Sequence, residues 1–581
     1  MADPQTTLAA AVARALDKAL GAEAEGADPL IRPAANPAFG DFQANFAMPL
    51  AKRLARPAPD IAKAVVSELD LDDVCQSVEV AGPGFVNLRL DDRWLAAAVD
   101  ALQDDDRLGV PFDAKPEKVV VDYSAPNVAK EMHVGHLRTT IIGDALCRIL
   151  GWLGHDVIRQ NHIGDWGTPF GMLIEHLLDV GESEAAAELS VGALTDFYQE
   201  ARVKFDNDPD FADRSRGRVV TLQAGDAQTL RLWRVLVDES QRYFDTVYER
   251  LGVLLTDADL AGESLYNDRL AAVVAELEAD GLAVVDDGAL CVFPPGFSGR
   301  DGDPLPLIIR KSDGGYGYAT TDLAALRYRA TELGGQRIVY VVDAGQHQHL
   351  TMVFAVGAMA GWLGGDRRAE HVSFGLVLGA DGQRMKTRSG GNPKLVDLLD
   401  EAVERAAAVV AAKNPDLDTD TKAKVARAVG IGSVKYADLS TDRVKDYVFD
   451  WDRMLSFDGN TAAYLINAYV RIRSIFRRAE IQDAERDAAV ILVEPQERTL
   501  ALALLRFDLV VRAVADTLEP HRLCTYLFEL AQAFTGFYEA CPVVRAPSPE
   551  IRASRLALCD LTARTLATGL GLLGIETVEQ M

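Results

Sequence analysis

The sequence has 581 residues, 49% of them hydrophobic and 25% charged, and a formal net charge of −27. This length allows about three to five domains, and the composition is typical of a folded globular protein rather than a disordered one. No apolar run approaches the roughly 18 residues that a membrane span requires. Six scattered cysteines without a CxxC pair argue against a disulfide framework or a zinc site. The acidic charge means that any RNA binding would depend on local basic patches.

Residues 1–112 are predicted to form a small α+β domain. An amphipathic helix is expected at the N-terminus, with an apolar face made of Leu8, Val12, Leu16 and Leu20. It lacks the basic start and cleavage site of a signal peptide, so we expect a cytoplasmic protein. VEVAGPGFVNLRL (78–90) predicts a strand, a Gly-Pro-Gly turn and a second strand. By itself this unit indicates only a small domain of unknown purpose.

Residues 119–143, VVVDYSAPNVAKEMHVGHLRTTIIG, predict a buried strand, a turn and the start of a helix. His133 and His136 would lie on one face near the helix N-terminus, where free N–H groups and the helix dipole favour phosphates. Gly135 would leave the backbone open to a flat ring. The alternative is that both histidines are ordinary capping residues.

Alternating strands and helices from 113 to 402 predict a Rossmann-type parallel sheet, interrupted by an insertion at about 180–300. We expect Thr168 to cap a helix whose first residue is Pro169. Another helix is expected to open at 320–322. Four aspartates of the insertion lack the glycine and glutamate of a calcium loop, and we interpret them as a solvated acidic face: Asp206, Asp208, Asp210 and Asp213.

Two further stretches of this unit carry candidate ligand-binding groups. A buried strand at 338–342 leads to His347 and His349, which lack a nearby third His or Cys ligand; we therefore expect hydrogen bonds to a substrate rather than a metal. Further on, a glycine-rich loop suits the clamping of a polyphosphate through four cations, Arg384, Lys386, Arg388 and Lys394. Without other information this loop would be a solvated charge run.

Residues 403–581 have helical patterns throughout. In the segment 461–479 one face is apolar, formed by Leu465, Tyr469, Ile472 and Phe476. Arginines at 471, 473, 477 and 478 lie beside these aromatic rings, a combination that suits unstacked RNA bases. A plain helical bundle is the alternative.

Several motifs together carry a resemblance to a known family. HVGH (133–136) resembles the HIGH signature of class I aminoacyl-tRNA synthetases, and DYSAPNVAKEMHVGHLRTTIIGDA (122–145) resembles arginyl-tRNA synthetases in particular. GDFQ (40–43), GFVNLRL (84–90), LGADGQRMKTRSGG (378–391), GLGLLGI (569–575) and the terminal methionine extend the likeness over the whole chain. Pro169 departs from it, because the family usually has Gln there.

The resemblance implies an α/β multidomain protein. A Rossmann-type catalytic domain (113–402) would lie between an N-terminal additional domain that contacts tRNA (1–112) and an α-helical anticodon-binding domain (403–581). It implies that arginine and ATP, with Mg²⁺, give arginyl-adenylate, from which the arginyl group passes to tRNA(Arg). Arginine activation would require tRNA. We expect a cytoplasmic monomer with no structural metal, no membrane contact and no DNA partner.

The resemblance also implies site residues. The arginine pocket would comprise Asp122, Ser124, Asn127, Glu263, Tyr318, Asp322 and Gln346, with Asp322 facing the guanidinium. ATP would be bound by His133, Gly135, His136, His349, Met385 and Lys386. Catalysis would involve His133, His136, Lys130, Lys386 and Arg388. Candidate tRNA contacts are Phe42, Gln43, Asn45, Tyr464, Arg471, Arg473, Arg477 and Arg478.

Two alternatives stay open at this point. One is another enzyme with the same nucleotide fold, either a synthetase for a different amino acid or a small-molecule nucleotidyltransferase. The other is a catalytically silent RNA-binding relative. The second is suggested by Thr387, which stands where the class signature KMSKS has its second lysine.

We expect Lys130 to supply the cation that Thr387 does not, because negative charge develops on the leaving pyrophosphate. Lys130→Ala should lower the rate of arginine activation by roughly 10²-fold, or about 2.7 kcal/mol, with little effect on tRNA affinity. Pyrophosphate exchange measures this rate, and Thr387→Lys should restore part of it. Near-normal exchange by Lys130→Ala, together with inactive Lys386→Ala, would assign the role to Lys386.

Overall fold

A computed structural model describes residues 3–181, 194–299, 301–385, 393–479 and 488–581. The N-terminal unit contains α1 (Pro4–Leu20), β1 (Ile31–Pro33), β2 (Phe42–Ala44), α2 (Ala47–Leu54), α3 (Ala58–Val66), β3 (Cys75–Ala81), β4 (Phe85–Leu90) and α4 (Asp92–Asp100). Its strands form an antiparallel sheet in the order β1-β2-β4-β3. The predicted apolar face of α1 is confirmed, since Leu8, Val12, Leu16 and Leu20 are all buried. The predicted strand–turn–strand at 78–90 is also confirmed as part of β3 and β4.

The α/β unit supplies a four-stranded parallel sheet. Its elements are β5 (Lys118–Asp122), α5 (Val134–Trp152), β6 (Asp156–Gln160), α6 (Thr168–Val180), β10 (Arg337–Tyr340), α12 (His347–Met359) and β11 (Arg368–His371). The strand order is β11-β10-β5-β6, and all neighbours run parallel. The β-branched run at 119–121 is fully buried in the middle of the sheet. The Rossmann-type prediction is therefore confirmed.

The insertion lies between α6 and β10. It contains α7 (Leu194–Asn207), α8 (Pro209–Gln223), α9 (Ala227–Leu251), α10 (Asn267–Ala279), β7 (Ala283–Asp286), β8 (Ala289–Val292), β9 (Leu307–Arg310) and α11 (Tyr318–Arg327). Three of its predicted acidic residues have local partners within the protein. Asp208 caps α8, Asp206 pairs with Arg202, and Asp213 pairs with Arg216.

Two predicted helix starts are wrong by one or two residues. Helix α6 begins at Thr168 with Gly167 as its N-cap, and Gly167 has φ +104°, a conformation that glycine adopts without strain. Helix α11 begins at Tyr318, not at Thr320, with Gly317 as its N-cap. The Thr320 hydroxyl instead donates a 2.6 Å hydrogen bond to the Ile309 carbonyl, which ties α11 to β9.

Helices dominate the remainder of the chain. The elements are β12 (Val377–Leu378), α13 (Leu395–Lys413), α14 (Thr419–Leu439), β13 (Tyr447–Val448), α15 (Trp451–Met454), α16 (Ala462–Ala479), α17 (Pro495–Leu504), α18 (Phe507–Thr517), α19 (His521–Ala540) and α20 (Pro549–Leu572). On α16, Leu465 and Ile472 are fully buried, while Tyr469 and Phe476 pack partly buried against the same core. The predicted apolar face of this helix is thus confirmed.

The N-terminal unit is bonded directly to the last helices. Arg498 of α17 donates to the Asp41 carboxylate, with Nη2 and Oδ2 separated by 2.8 Å, and it also pairs with Asp92. Arg564 of α20 donates to the carbonyls of Gln103 and Asp105. Among the described residues, no helix combines the length and apolar character needed to cross a membrane.

Gly143 allows α5 to approach the sheet closely. A Cβ atom there would lie 2.3 Å from the ring of Tyr123, whereas a Cβ on Gly151 of the same helix meets nothing within 4 Å. We expect Gly143→Ala to lower the free energy of unfolding by about 1–3 kcal/mol through overpacking. Gly151→Ala should be neutral or stabilising by up to about 1 kcal/mol. Urea unfolding of both variants tests this, and equal midpoints would contradict the close-contact argument.

Candidate active site

A crevice forms where β5 and β10 end side by side. The two strands are paired in parallel with Asp122 opposite Tyr340, and the chain leaves them towards opposite edges of the sheet. Ligands of doubly wound folds bind at such a switch point. The loop after β5 is strained there, because Ser124, Ala125 and Ala129 all have positive φ angles.

The two signature histidines shape the first turn of α5. His133 is the N-cap, and its Nδ1 accepts from Gly135 N at 3.0 Å; His136 Nδ1 accepts from His133 N at 3.1 Å. Since each Nδ1 is an acceptor, a neutral ring carries its proton on Nε2, as a donor. Burial lowers the pKa of both rings, to about 3 for His136, so both are neutral at neutral pH. A Cβ on Gly135 would lie 2.7 Å from His133 Cε1.

An acidic pocket formed by Glu263, Asp322 and Asp165 lies beyond the end of β6, since Glu263 N donates to the Ile163 carbonyl. Burial, and then the charges of Asp165 and Asp322, raise the pKa of Glu263 to about 7. Asp165 fixes the turn that carries Glu263, since its carboxylate accepts from Ser264 N at 2.9 Å and from Ser264 Oγ at 2.6 Å. Three crowded carboxylates form a site for a cationic group.

Asp322 already has a partner inside the protein. Its Oδ2 lies 2.6 Å from His349 Nε2, and the ring of His349 lies 4.8 Å from the ring of Tyr318. Tyr318 is 73% exposed at the opening of the pocket. His349 therefore belongs with the acidic pocket, although its predicted role was in ATP binding.

Asp122 is paired with a buried arginine, unlike the carboxylates of the acidic pocket. Its Oδ2 lies 2.9 Å from Nη1 of Arg329, which is fully buried and whose Cζ lies 4.9 Å from the Tyr340 ring. The structure thus gives Oδ2 of Asp122 an internal arginine as partner, and the role of Asp122 as an arginine ligand stays a prediction. Sequence reasoning missed Arg329, because nothing in the local pattern distinguishes it from a surface arginine.

The other predicted pocket residues lie on the floor or the rim. Ser124 is buried, and its Oγ lies 2.8 Å from the hydroxyl of Tyr248 on α9. Asn127 and Gln346 are exposed at the ends of the two loops that border the crevice. Ser124 therefore supports the loop after β5, while the two amides are free to meet a ligand.

The basic signature loop begins and ends beside the histidines. Met385 N donates to the Val377 carbonyl, and Arg384 contributes to the lowered pKa of His133. At the far end, Val134 N donates to the Pro393 carbonyl and Leu395 N to the Met132 carbonyl. Lys394 pairs with Glu131 at 2.8 Å. Lys386, Thr387 and Arg388 lie outside the described residues.

Lys130 lies close enough to the histidine turn for its charge to act on both rings. Its charge contributes to the lowered pKa values of His133 and His136. Its Nζ stands 4.2 Å from the centre of the Tyr198 ring on α7. The insertion thus holds this lysine through the ring of Tyr198, by a contact that the sequence did not reveal.

The candidate RNA contacts of the N-terminal unit divide by burial. Phe42 is only 5% exposed and points into the core, which corrects its prediction as a contact. Alternation along β2 puts Gln43 on the other face, where its amide donates to Asn87 Oδ1 at 2.8 Å; Asn45 is half-buried. Phe39, which the sequence interpretation passed over, is 49% exposed. The two-residue period of β2 turns Phe42 and Ala44 to the same buried face, whereas Phe39 lies before the strand in a short 3₁₀ turn.

The arginines of α16 also divide. Arg471 and Tyr464 line a cavity of about 410 Å³, whose other walls are Lys413, Asn414, Phe457, Asp458, Asn467, Thr535, Glu539 and Met581. Arg473 and Arg477 instead bind Glu579, through its carboxylate and its carbonyl respectively. Arg478 is exposed. Of the four predicted arginines, Arg471 lines this cavity.

Three family models match consecutive parts of the chain. Residues 6–90 match the arginyl tRNA synthetase N terminal domain, residues 99–451 the catalytic domain of class I (R) tRNA synthetases, and residues 465–581 the DALR anticodon binding domain. The three models follow one another along the chain, and the catalytic one extends to residue 451.

Whole proteins match as well. The chain is 60% identical to the arginine–tRNA ligase of Thermobifida fusca, over 100% of both chains, and 51% identical to that of Edwardsiella ictaluri, over 97% of both. Among solved structures it is similar to the arginyl-tRNA synthetase of Plasmodium falciparum, with a TM-score of 0.87, 30% identity and full coverage of both chains. It is also similar to that of Thermus thermophilus, with a TM-score of 0.82, 27% identity and coverage of 99% and 100%.

Arginine binding should depend on pH through Glu263. With a pKa of about 7 its carboxyl group is protonated below that pH and ionised above it, while a guanidinium stays charged. The affinity for L-arginine should therefore rise about tenfold from pH 6 to pH 8, because a bound cation favours the ionised form. Calorimetric titration measures this. Glu263→Gln should bind more weakly at pH 8 and show no such rise, and a flat profile of the native protein would contradict the assignment.

Proposed function

The chain belongs to the arginyl-tRNA synthetase family, and from that premise we propose how its residues join L-arginine to tRNA. As an arginine–tRNA ligase it couples two steps. The arginine carboxylate attacks the α-phosphorus of ATP, forming arginyl-adenylate and releasing pyrophosphate. A hydroxyl of the terminal ribose of tRNA(Arg) then attacks the arginyl carbonyl, and AMP leaves. The observation that carries our assignment is the presence of an acidic pocket and a pair of neutral histidines in the loops that leave the same edge of the parallel sheet.

The phosphate end would be the first turn of α5. Neutral His133 and His136 would donate hydrogen bonds to the phosphates through Nε2–H. Because the two rings carry no positive charge, they would not retain the pyrophosphate after the reaction. The helix N-terminus adds free backbone N–H groups. Lys130 would supply the mobile positive charge, released from Tyr198 as the phosphates bind. Met385, Lys386 and Arg388 of the loop would approach from the opposite side, with Gly135 beneath the adenine. These groups position ATP and stabilise the charge that moves onto the leaving group.

The arginine end would be the acidic pocket. A planar guanidinium binds carboxylates through paired hydrogen bonds, and it would relieve the mutual repulsion of Glu263, Asp322 and Asp165. The Asp322 carboxylate would bind the guanidinium, while His349 holds its Oδ2 atom. The exposed ring of Tyr318 would stack on the guanidinium. Asn127 and Gln346 would bind the α-amino and carboxylate groups, and the carboxylate would then point towards the histidines.

Mg²⁺ would enter with ATP. Within the described ranges, no three His, Cys, Asp or Glu side chains converge on a possible metal position. A magnesium ion held through phosphate oxygens and water needs no such cage. The ion would neutralise charge on the phosphates, while Asp122 stays committed to Arg329.

The tRNA would meet the protein at two places. In the helical domain the 410 Å³ cavity beside Tyr464 and Arg471 has the size and the mixture of aromatic and cationic groups that suit an unstacked base. Arg478 would contact the backbone nearby, while Arg473 and Arg477 would act indirectly by holding the C-terminal segment that ends in Met581. In the N-terminal domain Gln43 and Asn45 remain the candidates.

We also propose the division into units at 1–112, 113–402 and 403–581, a monomeric state and a cytoplasmic location. Helices predominate after β12, with the two-residue β13 as the exception among the described residues, and this supports the second boundary. The participation of such enzymes in translation supports the location.

Pyrophosphate exchange tests the proposed function as a whole. Each of the twenty amino acids is supplied with ATP and Mg²⁺, with and without tRNA. Of the twenty amino acids, we expect only arginine to support exchange, and only when tRNA is present. Exchange with another amino acid would indicate a synthetase of different specificity. No exchange under any condition, with tRNA binding intact, would indicate a silent RNA-binding relative.

Arg471 should serve tRNA binding through the cavity. Arg471→Glu should raise the tRNA KM about tenfold, or about 1.4 kcal/mol, and reduce the salt dependence of binding by about one ion. Arg506→Glu makes the same charge change at an exposed residue of the helical domain paired with Glu529, outside the cavity, and should change the KM little. If both variants raise the KM equally, net charge rather than the cavity determines tRNA affinity.

A further inference from the structure

Arg138 is a buried charge on the signature helix that the proposed mechanism does not use. It lies two residues after His136 on α5 and is 1% exposed. A guanidinium is almost never buried to this degree unless other groups pair with it. Its partners therefore indicate what it does.

Two different segments share this guanidinium. Its Nε lies 3.2 Å from each carboxylate oxygen of Asp438, which is buried in the last turn of α14. Its Nη1 donates to the carbonyl of Lys445 at 2.9 Å. The rings of Tyr447 and Phe374 enclose it, with centres 5.3 and 5.8 Å from Cζ.

The second segment leads directly to the signature loop. Lys445 precedes β13, which pairs in parallel with β12, with Val377 opposite Tyr447. Met385, at the start of the basic loop, donates its N–H to the Val377 carbonyl. Arg138 is thus bonded on one side to α14 and on the other to the strand pair from which the loop departs.

We propose that Arg138 is a positioning residue that sets the distance between the histidine turn of α5 and the base of the signature loop. This inference rests on the proposed function, in which both elements face the same ATP phosphates. A guanidinium can hold both partners at once because its donors point in several directions, whereas a lysine ammonium, on a thinner and more flexible stem, cannot reproduce that fork. A shift of about 1 Å in such a frame can cost as much as 10²-fold in rate.

The competing explanation is that Arg138 only neutralises Asp438 and stabilises the fold. Burial raises the pKa of Asp438, a carboxyl group whose charged form depends on this arginine. Under that explanation substitution would change stability alone. Under ours it changes the step that uses ATP and leaves the arginine pocket, which is built from other elements, unaffected.

Arg138→Lys separates the two explanations, with Arg555→Lys as a matched control. Arg555 is also buried, and it donates Nε to Glu497 and Nη1 to the Pro542 carbonyl, but all three lie in the helical domain. Pyrophosphate exchange with the full chain, arginine and tRNA gives kcat and the KM values, and thermal unfolding gives stability. We expect Arg138→Lys to lower the exchange kcat about tenfold, with the arginine KM and the tRNA Kd unchanged within about twofold. Arg555→Lys should lower only the unfolding temperature.

An Arg138→Lys protein that unfolds earlier but keeps the native kcat would overturn the proposal. If that variant does not fold, Asp438→Asn provides the test. This substitution keeps a hydrogen-bond acceptor on α14 but weakens the ion pair with Arg138. A native kcat of Asp438→Asn would equally overturn the proposal. Failure of the proposed function is distinguishable, because native protein would then show no arginine-dependent exchange at all.

Discussion

Helix α5 lies in the interior of the molecule, and its buried charged side chains therefore pair with groups on several neighbouring elements. Arg138 reaches α14 and the segment before β13. One turn and a half later, Asp144 accepts from Arg148 and from Leu254 N, just beyond the end of α9. Lys435 of α14, close to Asp144, donates to the carbonyls of Leu251 and Gly574. Because unpaired buried charges are costly, these contacts fix the insertion, the helical domain and the C-terminal segment relative to the histidine turn.

The proposed site would bind groups of opposite charge in two different ways. On the acidic side, burial and then the charges of Asp165 and Asp322 raise the pKa of Glu263, and a bound cation would relieve the repulsion between these carboxylates. On the phosphate side, burial suppresses the charge of the histidines, so that they act as neutral donors at a helix N-terminus. An acidic protein can thus bind a polyanion, since short-range donors and a few loop cations determine the local potential whatever the net charge of −27.

Local patterns in the sequence predicted most of what depends on local physics. The buried strand at 119–121, the histidine turn and the apolar faces of α1 and α16 follow from periodicity and capping. What the local patterns did not reveal depends mostly on distant pairing. Arg329 neutralises Asp122 from more than two hundred positions away, and no local signal announces it. No local sequence pattern predicts the backbone pairing of residues 393–395 with residues 132–134 either. Phe42 was misjudged because a motif match took precedence over the inward-facing position that the strand period gives it.

The ion pair between Arg498 and Asp41 has a consequence for encounters with RNA. It joins the N-terminal domain to the helical domain, with Arg564 and the carbonyls of Gln103 and Asp105 as a second fastening. The two proposed RNA surfaces then behave as a bivalent receptor with a fixed spacing instead of two modules on a flexible linker. Once the first surface is engaged, the second meets its part of the same molecule at a high effective concentration, without the entropy loss of ordering a tether. Avidity of this kind lets two modest contacts act as one strong one, and it rejects RNAs whose span does not match.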